Sequence, residues 1–487
     1  MYKYACKSAK PLLDSASLAQ KPVFTSLEEA LKTPLEVYKL ELNSKNLDVY
    51  PEELSQLKNL QELNLSENNF REISAGIGKL IKLKKLNLYR CQNLISLPKE
   101  IKKLMNLEEL NLESTNLVAL PIEVGKLKNL KKLNLSYFKP TSLPKEIGNL
   151  TNLQVLDIGA GENIISLPTE IENLKNLKYL SLAGCKNLKS LPKEIGHLSK
   201  LEELYLDDSK NITSLPAEIG NLKNLKILDL GVCENLESFP KEIGKLTKLE
   251  FLSLRFNNKL VALPDEIGQL RNLKILFFYG CKVFVSLPAE IGLLKNLEIL
   301  SLSESVNITS LPKEIGNLTN LLELHLSMNK LVNLPSEIGQ LKNLKKLVFS
   351  GCFNSLPKEI GNFTKLEHLY LASDKLISLP IEIGNLRNLK KLFFYSEKTL
   401  YLPNEIGNLT NLEELNLFCK LSVFPKEIGK LQNLKELSLY GCENLASLPK
   451  EIGNLTNLEK LDLSKTKISE KEKASIKKML PKCQIAE

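Results

Sequence analysis

The sequence predicts an α/β solenoid, a curved stack with a parallel β-sheet on its concave face and short helical or 3-10 turns on its convex face. Three observations predict it. A leucine comb recurs every 22 to 24 residues, in nineteen copies beginning at Val37, Leu60, Leu83, Leu107, Leu130, Leu153, Leu177, Leu201, Leu225, Leu249, Leu273, Leu297, Leu321, Leu344, Leu366, Leu389, Leu412, Leu434 and Leu458. Periods of this length mark supersecondary units that bury their apolar faces only by stacking on their neighbours. The opening of each copy alternates apolar and polar residues, as in Leu204-Tyr205-Leu206, which is the pattern of a half-buried strand. The second half reads L-P-x-E-I-G-x-L-x-N-L, where the proline suits the first position of a helical turn and the apolar spacing approaches three to four.

Taken along the chain, residues 1–22 read as a flexible lead-in and residues 23–36 as an N-terminal cap, with Ser26 and Glu29 at capping-box spacing. Residues 37–468 form the repeat domain, one elongated body despite a length that would ordinarily suggest several domains. Strands about 4.8 Å apart inside bulkier turns make the stack curve. Residues 469–487 read as a capping helix and tail: Ser469 and Glu472 repeat the capping spacing, Ala474, Ile476, Met479 and Leu480 follow at helical spacing, and Pro481 stops the helix. Both ends cover apolar faces that a solenoid would otherwise leave open. Phe138 and Gly161 stand where other copies carry Asn or Cys, and Pro140 falls on an apolar place, so distortion is expected in repeats five and six.

The 487 residues carry a net charge of +9, but lysines in L-K-N-L-K-K and L-P-K-E-I-G stretches alternate with glutamates around the stack. Nucleic-acid binding needs basic residues gathered on one face, so no nucleic-acid partner is expected. No apolar run approaches the ~18 residues of a membrane span, and the first 36 residues lack a signal-like apolar stretch. Cys6, after Ala5, is where a lipid anchor would sit if the natural N-terminus were longer, although Lys3 fits that motif poorly. Cys91, Cys185, Cys233, Cys281, Cys352 and Cys442 all occupy the ninth place of their repeats, where Asn68, Asn257 and Asn329 stand in others. They are expected to point inward as small packing groups, mostly two or more repeats apart and out of disulfide range.

The recurring motif resembles the leucine-rich-repeat family over residues 37–468. L-P-x-E-I-G-x-L-x-N-L is similar to repeats of bacterial members and of the eukaryotic intracellular group that contacts Ras-type GTPases. G-C-K-N-L-K-S-L-P at Gly184–Pro192 and G-C-E-N-L-A-S-L-P at Gly441–Pro449 look like repeats of plant immune receptors. The flanks look like those of the bacterial proteins. The resemblance implies a horseshoe or arc whose concave sheet binds another protein, a bacterial origin, and an extracellular or cell-envelope location; the sequence as written, without an export signal, reads as cytoplasmic.

No catalytic apparatus emerges. His197, His325 and His368 show no metal-ligand spacing, no glycine-rich phosphate loop or G-x-S-x-G elbow occurs, and no cofactor or metal is expected. The N-x-S/T triplets at Asn149, Asn211, Asn307, Asn317, Asn362, Asn408 and Asn454 are products of the repeated phrases. What the repeat does not dictate is its outward strand positions. Early repeats place Asn64, Asn87, Asn111 and Asn134 there, whereas Phe251, Phe256, Phe277 and Tyr279 come from two adjacent repeats and Tyr370, Phe393, Tyr395, Phe418 and Tyr440 from four consecutive ones. Tyr395, Phe418 and Tyr440 share the seventh place and should form a ladder at about 4.8 Å per step. Such rings either bind a partner, as interface hot spots do, or stabilise the sheet by packing on one another. The expectation is a non-enzymatic, monomeric protein-interaction module whose partner-binding residues are these nine. An intracellular adaptor of the GTPase-scaffold type, or the regulatory subunit of an enzyme with its catalytic part on another chain, are the alternatives.

Overall fold

The computed structural model describes residues 11–486; Cys6 lies outside them. The chain divides into two compact units, Met1–Leu236 and Glu237–Glu487. Each is a stack of parallel strands alternating with short 3-10 turns, and no two repeats differ in that order. In the first unit the strands run from Val23–Phe24 and Lys39–Glu41 through Ile227–Asp229; in the second they run from Phe251–Ser253 through Lys460–Asp462 and Gln484–Ala486. Equivalent positions pair in register, Leu63 opposite Leu86 and Leu276 opposite Leu300, so the period of the comb becomes a straight internal column of leucines.

The turn side follows from the second half of the motif. Pro192 takes an extended backbone (φ −68°, ψ 149°) as N-cap of the turn Lys193–His197, one place before the helical position expected for it. The Leu198 N–H then donates to the Ile195 carbonyl at 3.1 Å, and both side chains are fully buried. Most repeats reuse this device; in the second Ser74 replaces the proline, and after the last an α-helix replaces the turn. The Asn that precedes most comb leucines joins neighbouring repeats: Nδ2 of Asn129 donates to the Met105 carbonyl at 2.8 Å and Nδ2 of Asn388 to that of Thr364 at 2.7 Å.

The mixed charges form ladders along the strands. Lys131 meets Glu108 at 2.7 Å, Lys226 meets Glu202 at 2.7 Å, Lys390 meets Glu367 at 2.6 Å and Lys435 meets Glu413 at 2.7 Å. Such exposed pairs contribute little stability, ~0–1 kcal/mol each, but they intersperse the basic charge with acid.

The ends are ordered where described. Within the segment expected to be a flexible lead-in, Ser15–Ala19 is helical, because the Asp14 carboxylate accepts the Ser17 N–H at 2.7 Å and Leu18 is buried. Ser26 Oγ accepts the Glu29 N–H at 3.4 Å at the head of helix Leu27–Lys32, and Ser469 Oγ accepts that of Glu472 at 3.3 Å at the head of helix Glu470–Met479. Among the described residues no helix is long and apolar enough to cross a membrane.

Repeats five and six are not distorted. Phe138 fills the ninth place as a buried ring, Gly161 is buried there too, and the strands pair in register with Lys132 opposite Val155. The irregularity lies in repeats fourteen to seventeen. Elsewhere the strand has three or four residues and the eighth residue turns left-handed, as at Glu67 (φ 56°), Val232 (φ 60°) and Phe256 (φ 57°). In Lys346–Ser350, His368–Ala372, Lys391–Tyr395 and Glu414–Phe418 the strand runs five residues and that turn is missing.

The ninth residue accounts for the difference in repeats fifteen to seventeen. In repeats two to thirteen it is uncharged and buried, from Asn68 and Cys91 to Ser305 and Asn329. In repeats fifteen to seventeen it is Asp374, Glu397 or Lys420, all exposed, and the eighth residue, Ser373, Ser396 or Cys419, is buried in its stead. A charge there would have to be buried unpaired, so the chain stays extended by one more pair of residues and turns its neighbour inward. Repeat fourteen, two residues shorter than the longest copies, uses Phe353 instead. That ring is buried and stacks on Phe349 at 4.0 Å, which leaves Cys352 exposed rather than inward as expected.

Candidate functional site: the aromatic face of the second unit

All nine rings singled out from sequence belong to the second unit, and the structure sorts them into four groups. Phe251 and Phe277, on adjoining strands, meet edge to face with centroids 5.7 Å apart. Phe256 and Tyr279 meet edge to face at 5.0 Å. Tyr370 lies opposite Phe393 in register, with centroids 6.3 Å apart. Tyr395, Phe418 and Tyr440 stack at 5.1 and 5.2 Å, and the Lys465 ammonium completes the row 4.7 Å from the Tyr440 centroid. These spacings match the strand repeat of ~4.8 Å.

Three of the nine are not strand residues. Phe256, Tyr279 and Tyr440 lie beyond the ends of strands Phe251–Ser253, Ile275–Phe277 and Glu436–Ser438. For Phe256 the left-handed turn is the cause, since it swings the eighth side chain sideways along the stack. Its ring covers Gly280, where φ is +75° and an added Cβ would strike the ring; the Phe418 ring covers Gly441 in the same way, 3.2 Å from where a Cβ would stand. Other residues hold the left-handed backbone at this place, so what glycine adds at both is the lack of a side chain under the ring.

The rings are half-buried, Phe256 and Phe393 being the most open at 37% exposed. Around them sit ionisable groups rather than apolar ones. Tyr395 Oη donates to Glu397 at 3.4 Å, and burial followed by the Glu397 charge raises the Tyr395 phenol above its usual value. Asp374 accepts the Glu397 N–H at 3.0 Å. The face therefore offers apolar ring edges bordered by carboxylates and by Lys465.

Sequence reading missed one pair. In the first unit Tyr179 and Tyr205 meet at 5.4 Å on adjoining strands, and Tyr205 Oη donates to Glu203 at 3.0 Å. A signal existed: the two tyrosines hold the third and fifth places of consecutive repeats, the same diagonal as Phe251 and Phe277.

The histidines hold no site. His197 Nδ1 lies 2.7 Å from Glu172 on the turn side, and His325 Nε2 lies 2.9 Å from Glu323 of its own strand. Among the described residues no three His, Cys, Asp or Glu side chains gather as a metal-ligand group. The buried ninth-place thiols donate to carbonyls of the preceding repeat, Cys233 to Leu206 at 3.2 Å and Cys281 to Leu254 at 3.1 Å, and burial pushes both thiols up to about 12.

A family profile described as leucine-rich repeat region matches overlapping stretches that run from residue 73 to residue 444, and a second, described as leucine rich repeat, matches residues 59–80. No functionally curated protein matches the sequence. Among solved structures, a leucine-rich-repeat protein of Leptospira interrogans is 37% identical with a TM-score of 0.67, over 96% of this chain and all of that one. A TDR receptor is 26% identical with a TM-score of 0.57, over 92% of this chain and 84% of that one. Toll, in its complex with Spatzle from Drosophila, is 20% identical with a TM-score of 0.59, over 94% of this chain and 60% of that one, a likeness of fold. The columns of buried leucine, the 3-10 turns and these matches place the chain in the leucine-rich-repeat family.

Proposed function

We propose that this chain is a non-enzymatic scaffold that holds a partner protein against the open sheet face of its second unit. The observation that carries the reading is the concentration of half-buried rings on that face in repeats ten, eleven and fifteen to eighteen, nine of them against the Tyr179–Tyr205 pair of the first unit. Aromatic side chains dominate interface hot spots, and strands that fix them beforehand lower the ordering cost of association. Toll offers a parallel, since its structure was solved as a complex with Spatzle. The family's repeat fold serves typically as an interaction scaffold, which favours binding over catalysis here.

Phe393 is the ring to test first. It is more exposed than its partner Tyr370 and stands apart from the stacked row. A photoreactive residue at position 395 or 418 identifies what is captured, and affinity is then measured with the purified partner. Phe393→Ala should weaken binding roughly tenfold or more, the loss of a ~1.4–2 kcal/mol hot spot, with the melting temperature nearly unchanged. Unaltered affinity in Phe393→Ala, and in the triple variant of Tyr395, Phe418 and Tyr440 to Ala, would mean that the rings serve only the sheet.

A further inference from the structure

Two thiols that the comb does not bring together in sequence meet beneath the ring row. Strands Glu414–Phe418 and Glu436–Ser438 pair in parallel with Leu415 opposite Leu437. Adjacent strands stand ~4.8 Å apart, inside the ~4.4–6.8 Å Cα range of a disulfide. Cys419 is turned inward because Lys420 takes the exposed place after it, and Cys442 is the ordinary ninth residue of the next repeat. The two side chains are 2% and 0% exposed, both are free thiols, and each bears on the other's ionisation. Cys442 Sγ also lies 3.3 Å from the Leu417 carbonyl, and the Leu421 N–H donates to the Cys419 carbonyl at 2.8 Å. The other ninth-place thiols have no such neighbour: Cys185, Cys233 and Cys281 are separated by the repeats of Ser209 and Asn257.

We propose that Cys419 and Cys442 are a peroxide-sensitive dithiol that closes into a disulfide between repeats seventeen and eighteen. In the first step the Cys442 thiolate attacks one oxygen of hydrogen peroxide. The O–O bond breaks, leaving a sulfenic acid on Cys442 and a hydroxide that takes up the thiol proton as water. In the second the Cys419 sulfur attacks the Cys442 sulfur. The S–O bond breaks, and the departing hydroxide takes the Cys419 proton as a second water. Two thiols are oxidised and one peroxide is reduced to two waters.

The assignment of Cys442 as the attacking sulfur follows from its surroundings. The Cys419 thiol beside it holds it below the usual thiol value against the opposing effect of burial. Burial, followed by nearby aspartates, pushes Cys185 and Cys233 up to about 12. The thiolate is the reactive form, so selectivity among the buried thiols falls to Cys442.

The test uses the full chain, fully reduced, treated with a single equivalent of hydrogen peroxide, alkylated and digested without reductant. The expected result is one cross-linked peptide pair joining Cys419 to Cys442, short of two hydrogens and released by dithiothreitol, with Cys185, Cys233 and Cys281 still alkylatable. Cys419→Ser should abolish the cross-link and leave a sulfenic acid on Cys442 that dimedone traps; Cys442→Ser should abolish both. Serine suits both places, because Ser373 and Ser396 fill the one and Ser209 and Ser305 the other in this same chain. If a serine variant nevertheless fails to fold, the cross-link map of the unaltered chain decides. Alkylation of Cys419 and Cys442 as free thiols after peroxide, while exposed Cys352 is oxidised, would overturn the proposal.

Discussion

Repeats two to thirteen and repeats fourteen to seventeen are written in the same leucine comb but leave their strands by different routes. In the first group an uncharged residue drops into the ninth place and the eighth swings through a left-handed turn. In the second group the strand runs on to its seventh residue and, in three of four repeats, the eighth residue drops in. The consequence reaches the candidate site. Running on carries Tyr395 and Phe418 into the sheet itself, opposite one another in register, where their rings can stack. In repeat ten the left-handed turn instead lays Phe256 sideways over Gly280. Charge at the ninth place therefore accompanies the altered face in repeats fifteen to seventeen, while repeat fourteen reaches the same extended strand through Phe353.

The largest expected effect comes from moving that charge. Cys233→Asp puts a carboxylate into a fully buried place of a regular repeat. An uncompensated buried charge costs ~3–5 kcal/mol, and hydrogen exchange resolved by repeat should show the loss centred on residues 201–272. The reverse exchange, Glu397→Asn, alters an exposed residue and should change stability by less than ~0.5 kcal/mol. A tolerated Cys233→Asp would show that the ninth residue follows the turn rather than setting it. A smaller effect belongs to the glycine under the ring row. Gly441→Ala must hold φ +75° with a Cβ 3.2 Å from the Phe418 ring, and should cost about 1–2 kcal/mol. In a Phe418→Ala background the cost should shrink toward the backbone contribution alone, and a double-mutant cycle measures the difference. Equal costs in the two backgrounds would mean the ring gives way freely.

Much of this was legible beforehand. The phase of the comb located the strands and the turns, because a period near 23 with leucines at fixed offsets admits one stacking register. Ser26 and Ser469 were legible as caps from local chemistry alone. The nine rings were legible as departures from the repeat, but not their grouping, since Phe256 and Tyr279 meet only through a turn whose hand is set by backbone geometry. Cys352 and Cys419 were misread or passed over for one reason. Counting places from the comb leucine assumes every repeat turns at the same residue, whereas Asp374, Glu397 and Lys420 already marked where it does not.

An effect of about 1 kcal/mol in either direction tests the same comparison by sign. At the eighth place of a regular repeat, Val232 holds φ 60°, a conformation that costs an L-residue ~1–2 kcal/mol and is most awkward for a β-branched one. Glycine relieves that strain but loosens the unfolded chain by ~0.5–1 kcal/mol, so Val232→Gly should stabilise its unit by up to about 1 kcal/mol. At the eighth place of an extended repeat, Ser396 takes no left-handed turn and its Oγ accepts the Lys398 N–H at 3.1 Å. Ser396→Gly gains nothing from relief and loses that bond, so it should destabilise by about 1 kcal/mol. Chemical denaturation followed by repeat-resolved hydrogen exchange gives both values. Opposite signs are required if the two kinds of repeat differ in the hand of this one residue, and a shared sign would reduce the difference to strand length alone.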